Sequence, residues 1–136
     1  EINNNKVYIC SSDGLYNYDI NDKILKLLDL NIYYNIELSD NDILASNRNL
    51  WKITNSNRKL ISSNVDYFNF AGNDKICANN MHEIKIIDIK NNNEWYLDFN
   101  YLKNGIYSLD CDEDWVWFSN SDGLLFFKWS NYCRWN

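Results

Sequence analysis

Near the end of the chain two apolar runs, Trp115-Val116-Trp117-Phe118 and Leu124-Leu125-Phe126-Phe127, flank the polar stretch Ser119-Asn120-Ser121-Asp122-Gly123. That pattern predicts two antiparallel strands joined by a tight hairpin, because Asp-Gly readily takes the positive-φ conformations such turns need. Near the start, Val7-Tyr8-Ile9-Cys10 and Leu15-Tyr16-Asn17-Tyr18 flank Ser11-Ser12-Asp13-Gly14 in the same way. Superimposing the two stretches brings both runs and the Ser-Asp-Gly-Leu turn into coincidence. The chain is built from repeats.

Four units follow, at about 1–31, 32–64, 65–104 and 105–136, a spacing typical of repeat arrays. In the second unit Ile43-Leu44-Ala45-Ser46 and Leu50-Trp51-Lys52-Ile53 take the two strand positions, with Asn49 where Gly14 sits. Asn tolerates positive φ better than other side-chain-bearing residues, so the turn chemistry is expected to persist. In the third unit Ile76 to Asn79 and Ile84 to Asp88 take those positions, and Asp88 coincides with Asp19. Glu83 replaces the glycine there, so a different turn is expected. Each complete unit reads as four short strands.

Ile20, Ile24, Leu27 and Leu28 also fall at helical spacing behind Asn21-Asp22, but the repeat alignment places an outer strand there. Within the second strand of each unit both alternating sets are apolar: Val7 and Ile9 against Tyr8 and Cys10, Val116 and Phe118 against Trp117. A strand wetted on one face would alternate with polar residues, so burial on both faces is expected. Four-stranded antiparallel sheets stacked face to face around an axis make a β-propeller. The expectation is an all-β propeller segment of about four four-stranded antiparallel blades. Glu1-Ile2 aligns with the end of the first strand of the later units, so the first blade is expected to lack most of its innermost strand. Open blade faces are an aggregation hazard, and the chain is expected to be part of a larger propeller. The remaining blades would lie elsewhere in its sequence or in another chain.

Composition adjusts this picture modestly. Apolar residues form 46% of the chain and aromatics 16%, enough for a core. The net charge of −6 disfavours a nucleic-acid or anionic-membrane surface. The densest basic cluster, Arg48, Lys52, Arg58 and Lys59, reads as a solvated strand edge. There is no Pro, and the abundant Asn reads partly as coding bias, since it also fills positions where other polar residues would serve. No apolar run approaches the roughly 20 residues that span a bilayer, and no signal peptide opens the sequence. Cys10, Cys77, Cys111 and Cys133 show no Cys-x-x-Cys spacing, and no Asn-x-Ser/Thr acceptor occurs. Reduced thiols in a cytoplasmic setting are the expectation.

At this point the residues resemble known propeller repeats. Ile84-Lys85-Ile86-Ile87-Asp88-Ile89-Lys90 resembles the strand ending in Trp-Asp of the WD-repeat family, with Ile87 in place of Trp. Gly14-Leu15-Tyr16-Asn17-Tyr18-Asp19 and the stretch from Val116 to Leu124 resemble the propeller repeats of two-component sensor ectodomains. No Gly-His dipeptide and no Trp-Asp occurs, and His82 is the only histidine, so the Asp–His network of standard WD repeats cannot form. The resemblance implies a rigid scaffold for protein partners within a larger assembly, without chemistry of its own. The alternative it implies is a ligand-sensing ectodomain of a signalling receptor.

Candidate chemistry is sparse. Asp110, Asp112, Glu113 and Asp114 could begin a calcium loop, but Trp115 stands where such loops turn on Gly, so a plain turn is expected. Cys77 with His82 invites a nucleophile–base reading, yet Cys77 aligns with the core positions Tyr8, Leu44 and Trp117. Cys111 and Cys133 fall on the first and last strands of one sheet, too far apart for a disulfide. One His and scattered Cys do not close a zinc tetrahedron. The innermost strands, Tyr33 to Leu38, Asp66 to Phe70 and Ile106 to Cys111, carry only Glu37, Asp66 and Asp110 as candidate titratable groups. No catalytic, cofactor or metal site is expected. Trp115, Trp117, Trp129, Tyr132 and Trp135 crowd the last unit. Trp117 is expected in the core, whereas Trp129, Tyr132 and Trp135 on outer elements are the candidate partner-binding residues.

Overall fold

The two Asp-Gly hairpins form where the apolar pattern places them. In a computed structural model, which describes residues 2–39, 42–55, 57–97 and 105–131, β2 (Lys6–Ser11) and β3 (Gly14–Asp19) pair with Ser11 opposite Gly14. Likewise β14 (Trp115–Asn120) and β15 (Gly123–Lys128) pair with Asn120 opposite Gly123. Each loop is two residues long, and both glycines sit at positive φ, +148° and +125°. The second-unit turn departs from expectation: Arg48, not Asn49, takes the left-handed conformation, at φ 69°. Ser46 there faces Leu50 across a three-residue loop, which moves the strained position one residue back. In the third unit the turn from Asn80 to Glu83 replaces the glycine with an Asn side chain. Asn80 Oδ1 accepts the His82 and Glu83 N–H groups at 2.8 and 2.9 Å.

Two compact units result, residues 1–63 and 64–136. Unit 1 begins with a sheet in the order β1 (Ile2–Asn3), β2, β3, β4 (Ile24–Asp29). The helical alternative for this outer segment is thereby replaced by a strand, which pairs with β3 through Asp19–Ile24 and Tyr18–Leu25. The second sheet runs β5 (Asn35–Ser39), β6 (Asp42–Ser46), β7 (Arg48–Thr54), β8 (Asn57–Val65), the last strand crossing the boundary between units. Unit 2 holds β9 (Tyr67–Phe70), β10 (Lys75–Asn79), β11 (Ile84–Asp88) and β12 (Asn93–Leu97) in one sheet. Its other sheet comprises β13 (Ser108–Cys111), β14 and β15, followed by a 3₁₀ turn at Trp129–Asn131. This last sheet has three strands among the described residues. The expected fourth strand, Tyr132 to Trp135, lies outside them.

Every sheet is a consecutive antiparallel meander, and each unit packs one sheet on the next. In unit 1, Ile43 and Ala45 of β6 meet Tyr8, Cys10 and Leu15 of the first sheet. In unit 2, Val116 and Phe118 of β14 meet Cys77, Ile84 and Ile86 of the third. Side-chain-to-backbone bonds tie the innermost strands of unit 2: Asn69 Nδ2 donates to Leu109 O at 2.8 Å, and the Cys111 thiol to Phe70 O at 3.4 Å. Burial on both faces holds for β10, where Ile76, Cys77 and Ala78 are all 0% exposed. It fails for β2, whose Ile9 is 41% exposed, and for β14, whose Trp117 is only half-buried. Trp117 is therefore not the sealed core residue expected; Val116 and Phe118 hold that place, because the neighbouring sheet covers one face only.

The aligned aspartates do the same job. Asp19 Oδ1 accepts the Asn21 and Asp22 N–H groups, and Asp88 Oδ1 those of Lys90 and Asn91. Each carboxylate closes the turn that leads from third to fourth strand. Asn fills many of the remaining strained positions: Asn4, Asn5, Asn55, Asn64 and Asn92 all have positive φ.

Two expectations follow. An added Cβ at Gly14 would lie 2.5 Å from Asp29 O, whereas at Gly123 it would meet open space. Gly123→Ala should cost about 1 kcal/mol from backbone strain alone, and Gly14→Ala about 3 kcal/mol, in urea unfolding. Equal costs would show that the close approach is relieved elsewhere. For Asp88, burial opposes ionisation, yet donors from Asn91 and Lys90 and the nearby Lys75 charge hold its carboxyl below the ordinary range. A depressed native pKa adds stability above the unfolded value of about 3.9 and loses it as pH falls through the native one. Asp88→Asn, which keeps an acceptor in the turn, should therefore lose less melting temperature than the wild type on acidification below about pH 4.

Candidate interaction surface

In the repeats the main chain enters each innermost strand through the same hydrogen bond. Tyr34 N donates to Ser46 O, Asp66 N to Asn79 O, and Tyr107 N to Ser119 O, at 2.8, 2.9 and 2.9 Å. The three acceptors occupy one repeat position at the end of the second strands, so the three donors do as well. Tyr34 and Tyr107 are 57% and 69% exposed at that point, and Tyr67, next to Asp66, is 55% exposed. In unit 1, Tyr34 continues a run of exposed apolar residues with Leu30 and Ile32, 76% and 49% exposed. In unit 2, Met81 is 65% exposed, and its side chain lies close to Gly105. Exposed tyrosines combine apolar area with a polar tip and few rotatable bonds, the composition of contact surfaces. The repeat alignment places Tyr34 and Tyr107 at one position, but alternation alone does not say that these side chains stay exposed.

The aromatic residues expected to bind partners fall differently. Trp129 is 3% exposed within the unit 2 core, and its Nε1 donates to Asp112 O at 3.0 Å. It is a packing residue, drawn inward by the 3₁₀ turn that follows β15. Tyr132 and Trp135 lie outside the described residues. What the fourth sheet exposes is Leu124 and Phe126, 71% and 65%. With Leu125 and Phe127 packed inward, strand alternation sends their neighbours to the opposite face. Trp115 lies beside Phe126, ring centroids 5.9 Å apart.

The candidate chemistry dissolves into structure. Asp112 Oδ1 accepts the Asp114 and Trp115 N–H groups at 2.8 and 2.7 Å, so the acidic stretch is a turn, and Asp110 accepts from Cys111 N. No group of metal-binding side chains forms among the described residues. Cys77 is 0% exposed in the core while His82 sits in an exposed turn. The basic cluster is the exposed strand surface expected: Arg48, Arg58 and Lys59 are exposed, Lys52 pairs with Asp42 at 2.5 Å, and the Arg58 guanidinium stacks 4.1 Å above Trp51. Tyr33 donates to Asp29 Oδ2 at 3.1 Å. Burial first, then the Asp29 charge, pushes its hydroxyl up to about 12 against the lowering pull of Arg58. At neutral pH it stays protonated and serves as a fixed donor. Lys85, 1% exposed, pairs with Glu94 at 3.5 Å.

No family model and no curated protein matches the chain. Solved structures do. It is similar to the N-terminal domain of Nup159, at 14% identity and a TM-score of 0.69, covering 92% of this chain and 38% of that one. It is similar to the extracellular domain of BT4673 from B. thetaiotaomicron, described as a one component system, at 15% identity and a TM-score of 0.70 over 94% and 21% of the two chains. It is also similar to KlHsv2 with loop 6CD replaced by a Gly-Ser linker, at 16% identity and a TM-score of 0.60 over 91% and 46%. The chain spans less than half the length of each. It carries an all-β, β-propeller fold, with no specific tie to WD repeats.

The two kinds of aromatic position predict opposite outcomes. Trp129→Ala should cost about 3–5 kcal/mol through the cavity it leaves, while Tyr107→Ala should stay within about 0.5 kcal/mol. Urea unfolding followed by circular dichroism decides it, and a negligible cost at Trp129 would return that residue to the surface.

Proposed function

We propose that the chain is a non-catalytic β-propeller scaffold segment that mediates protein–protein interaction within a larger assembly. The observation that carries this reading is the exposed tyrosine at the mouth of the innermost strand, Tyr34 in unit 1 and Tyr107 in unit 2. Asp19, Asp88 and Asp112 are taken up in turns and Asp42 and Asp114 in ion pairs, and apolar and aromatic surface is the resource for recognition. Further blades, in the same polypeptide or in another, belong to this reading, since this chain spans less than half of each solved structure it resembles. Cys10, Cys77 and Cys111 are thiols, which fits a reducing, cytoplasmic setting. Among the described residues no helix is long and apolar enough to cross a membrane.

The similarity to an extracellular domain supports a second reading, a ligand-sensing ectodomain of a signalling receptor. It requires a secretory signal and a membrane span in the full-length sequence, so that sequence separates the two.

Native affinity purification of the full-length protein tests the scaffold. A partner other than the protein itself should be retained in stoichiometric amount. The double variant Tyr34→Ala, Tyr107→Ala should lose it at an unchanged melting temperature, as removal of interface anchors does. Recovery of the protein alone would overturn the reading.

A further inference from the structure

Among the described residues of unit 2, two buried amides each keep one hydrogen-bonding atom without a partner. Asn79 is 3% exposed; its Nδ2 donates to Asn80 O at 3.2 Å, but its Oδ1 accepts nothing. Asn120 is 6% exposed; its Oδ1 accepts the Asp122 N–H at 2.8 Å, but its Nδ2 donates to nothing. An unmatched polar atom inside a fold has a cost and calls for a physical reason. Both amides stand at one place. Asn79 alternates with Cys77 on β10, and Asn120 with Phe118 on β14, so each lies on the face that packs against the other sheet. An acceptor from the third sheet and a donor from the fourth therefore cap one seam, at the end where β9 and β13 begin.

The surface around that end is aromatic and acidic. Tyr67 lies opposite Asn79 in the β9–β10 pairing, hence on the same face, and is 55% exposed. Tyr107, 69% exposed, precedes β13, which lies beside β9 through the Asn69–Leu109 and Cys111–Phe70 bonds. Asp66, Glu83 and Asp122 add carboxylates, and residues 64–67, 79–84, 105–108 and 119–123 contain no Lys or Arg. Lys85, one residue into β11, is 1% exposed and already paired with Glu94. A further blade would pack on a sheet face and leave this end open.

We propose that this end of unit 2 binds an arginine-bearing segment of a partner protein, its guanidinium laid on Tyr67 and Tyr107 among the carboxylates of Asp66, Glu83 and Asp122. A guanidinium stacks on an aromatic ring while its in-plane N–H groups still reach oxygen acceptors. The chain makes that contact itself in unit 1, where Arg58 lies 4.1 Å above Trp51. A peptide segment also supplies what the two amides lack, an N–H for Asn79 Oδ1 and a carbonyl for Asn120 Nδ2. Both atoms are enclosed, so the segment reaches them by displacing a side chain. Met81, unbranched and 65% exposed, lies against Gly105 ahead of β13 and is the one placed to yield. The proposal rests on the scaffold reading and names the chemistry of the partner there.

Fluorescence anisotropy with a labelled peptide of alternating Arg and Gly tests it, beside the same peptide with Glu in place of Arg. The Arg peptide should bind and the Glu peptide should not. An acidic chain also attracts polycations without any site, so the deciding variants keep the charge. The double variant Tyr67→Ala, Tyr107→Ala should bind at least about tenfold more weakly. Asn79→Ser installs the residue type of Ser46 and Ser119, which share its repeat position. It should weaken binding about threefold without lowering the melting temperature, because an unmatched acceptor is removed. Glu83→Gln should cost more affinity than Asp22→Asn, an exposed carboxylate in a unit 1 turn. If circular dichroism shows Asn79→Ser unfolded, the tyrosine variant decides alone. Absence of binding overturns the proposal, and so does binding that the charge-neutral variants leave undiminished. Either result leaves the scaffold reading standing, because recovery of a partner in native purification tests that separately.

Discussion

A small antiparallel sheet has two faces, and burying only one of them leaves a sheet too thin to be stable alone. This chain meets that constraint by making its second strands apolar on both sides and setting sheet against sheet. The contact between Val116, Phe118 and Cys77 in unit 2, and between Ile43, Ala45 and Tyr8 in unit 1, is what the turns, the inner-strand ties and the exposed surfaces are arranged around. Where a covering sheet is present, residues such as Ile86 and Ala45 are fully enclosed. Where none is, the same repeat position becomes a surface.

The polar residues carry the complementary duty of closing turns between strands. Backbone N–H groups in tight turns need acceptors when the ladder stops, and here carboxylates and amides provide them from fixed repeat positions. Asp19, Asp88 and Asp112 each accept two main-chain donors, as does Asn80. In this use the carboxylates of Asp19, Asp88 and Asp112 are spent on the main chain.

The strand pattern, the hairpins at Gly14 and Gly123 and the equivalence of Asp19 with Asp88 were legible in the residues because alternation and turn chemistry are local. The outer strand β4 was legible only through the repeat, since its own apolar spacing suits a helix equally well. Which face of a strand stays open was not legible. Trp117 and Cys77 share a position, yet one is half-exposed and the other sealed, and only the presence of a neighbouring sheet decides between them. Trp129 misled for a related reason, because its burial depends on a short 3₁₀ turn that redirects the chain after β15. The equivalence of Tyr34 and Tyr107 is legible in the repeat, but their exposure is not, because it depends on what packs around the start of the innermost strand.

With only four glycines in the sequence, the left-handed corners at Asn4, Asn5, Asn55, Asn64 and Asn92 are made by asparagine. The Asn surplus that reads as coding bias thus has a conformational use. Asparagine is also among the thermolabile side chains. Prolonged heating would convert neutral amides into new negative charges at these corners, on a protein already carrying an excess of them. The bends that shape the molecule are therefore also where it ages.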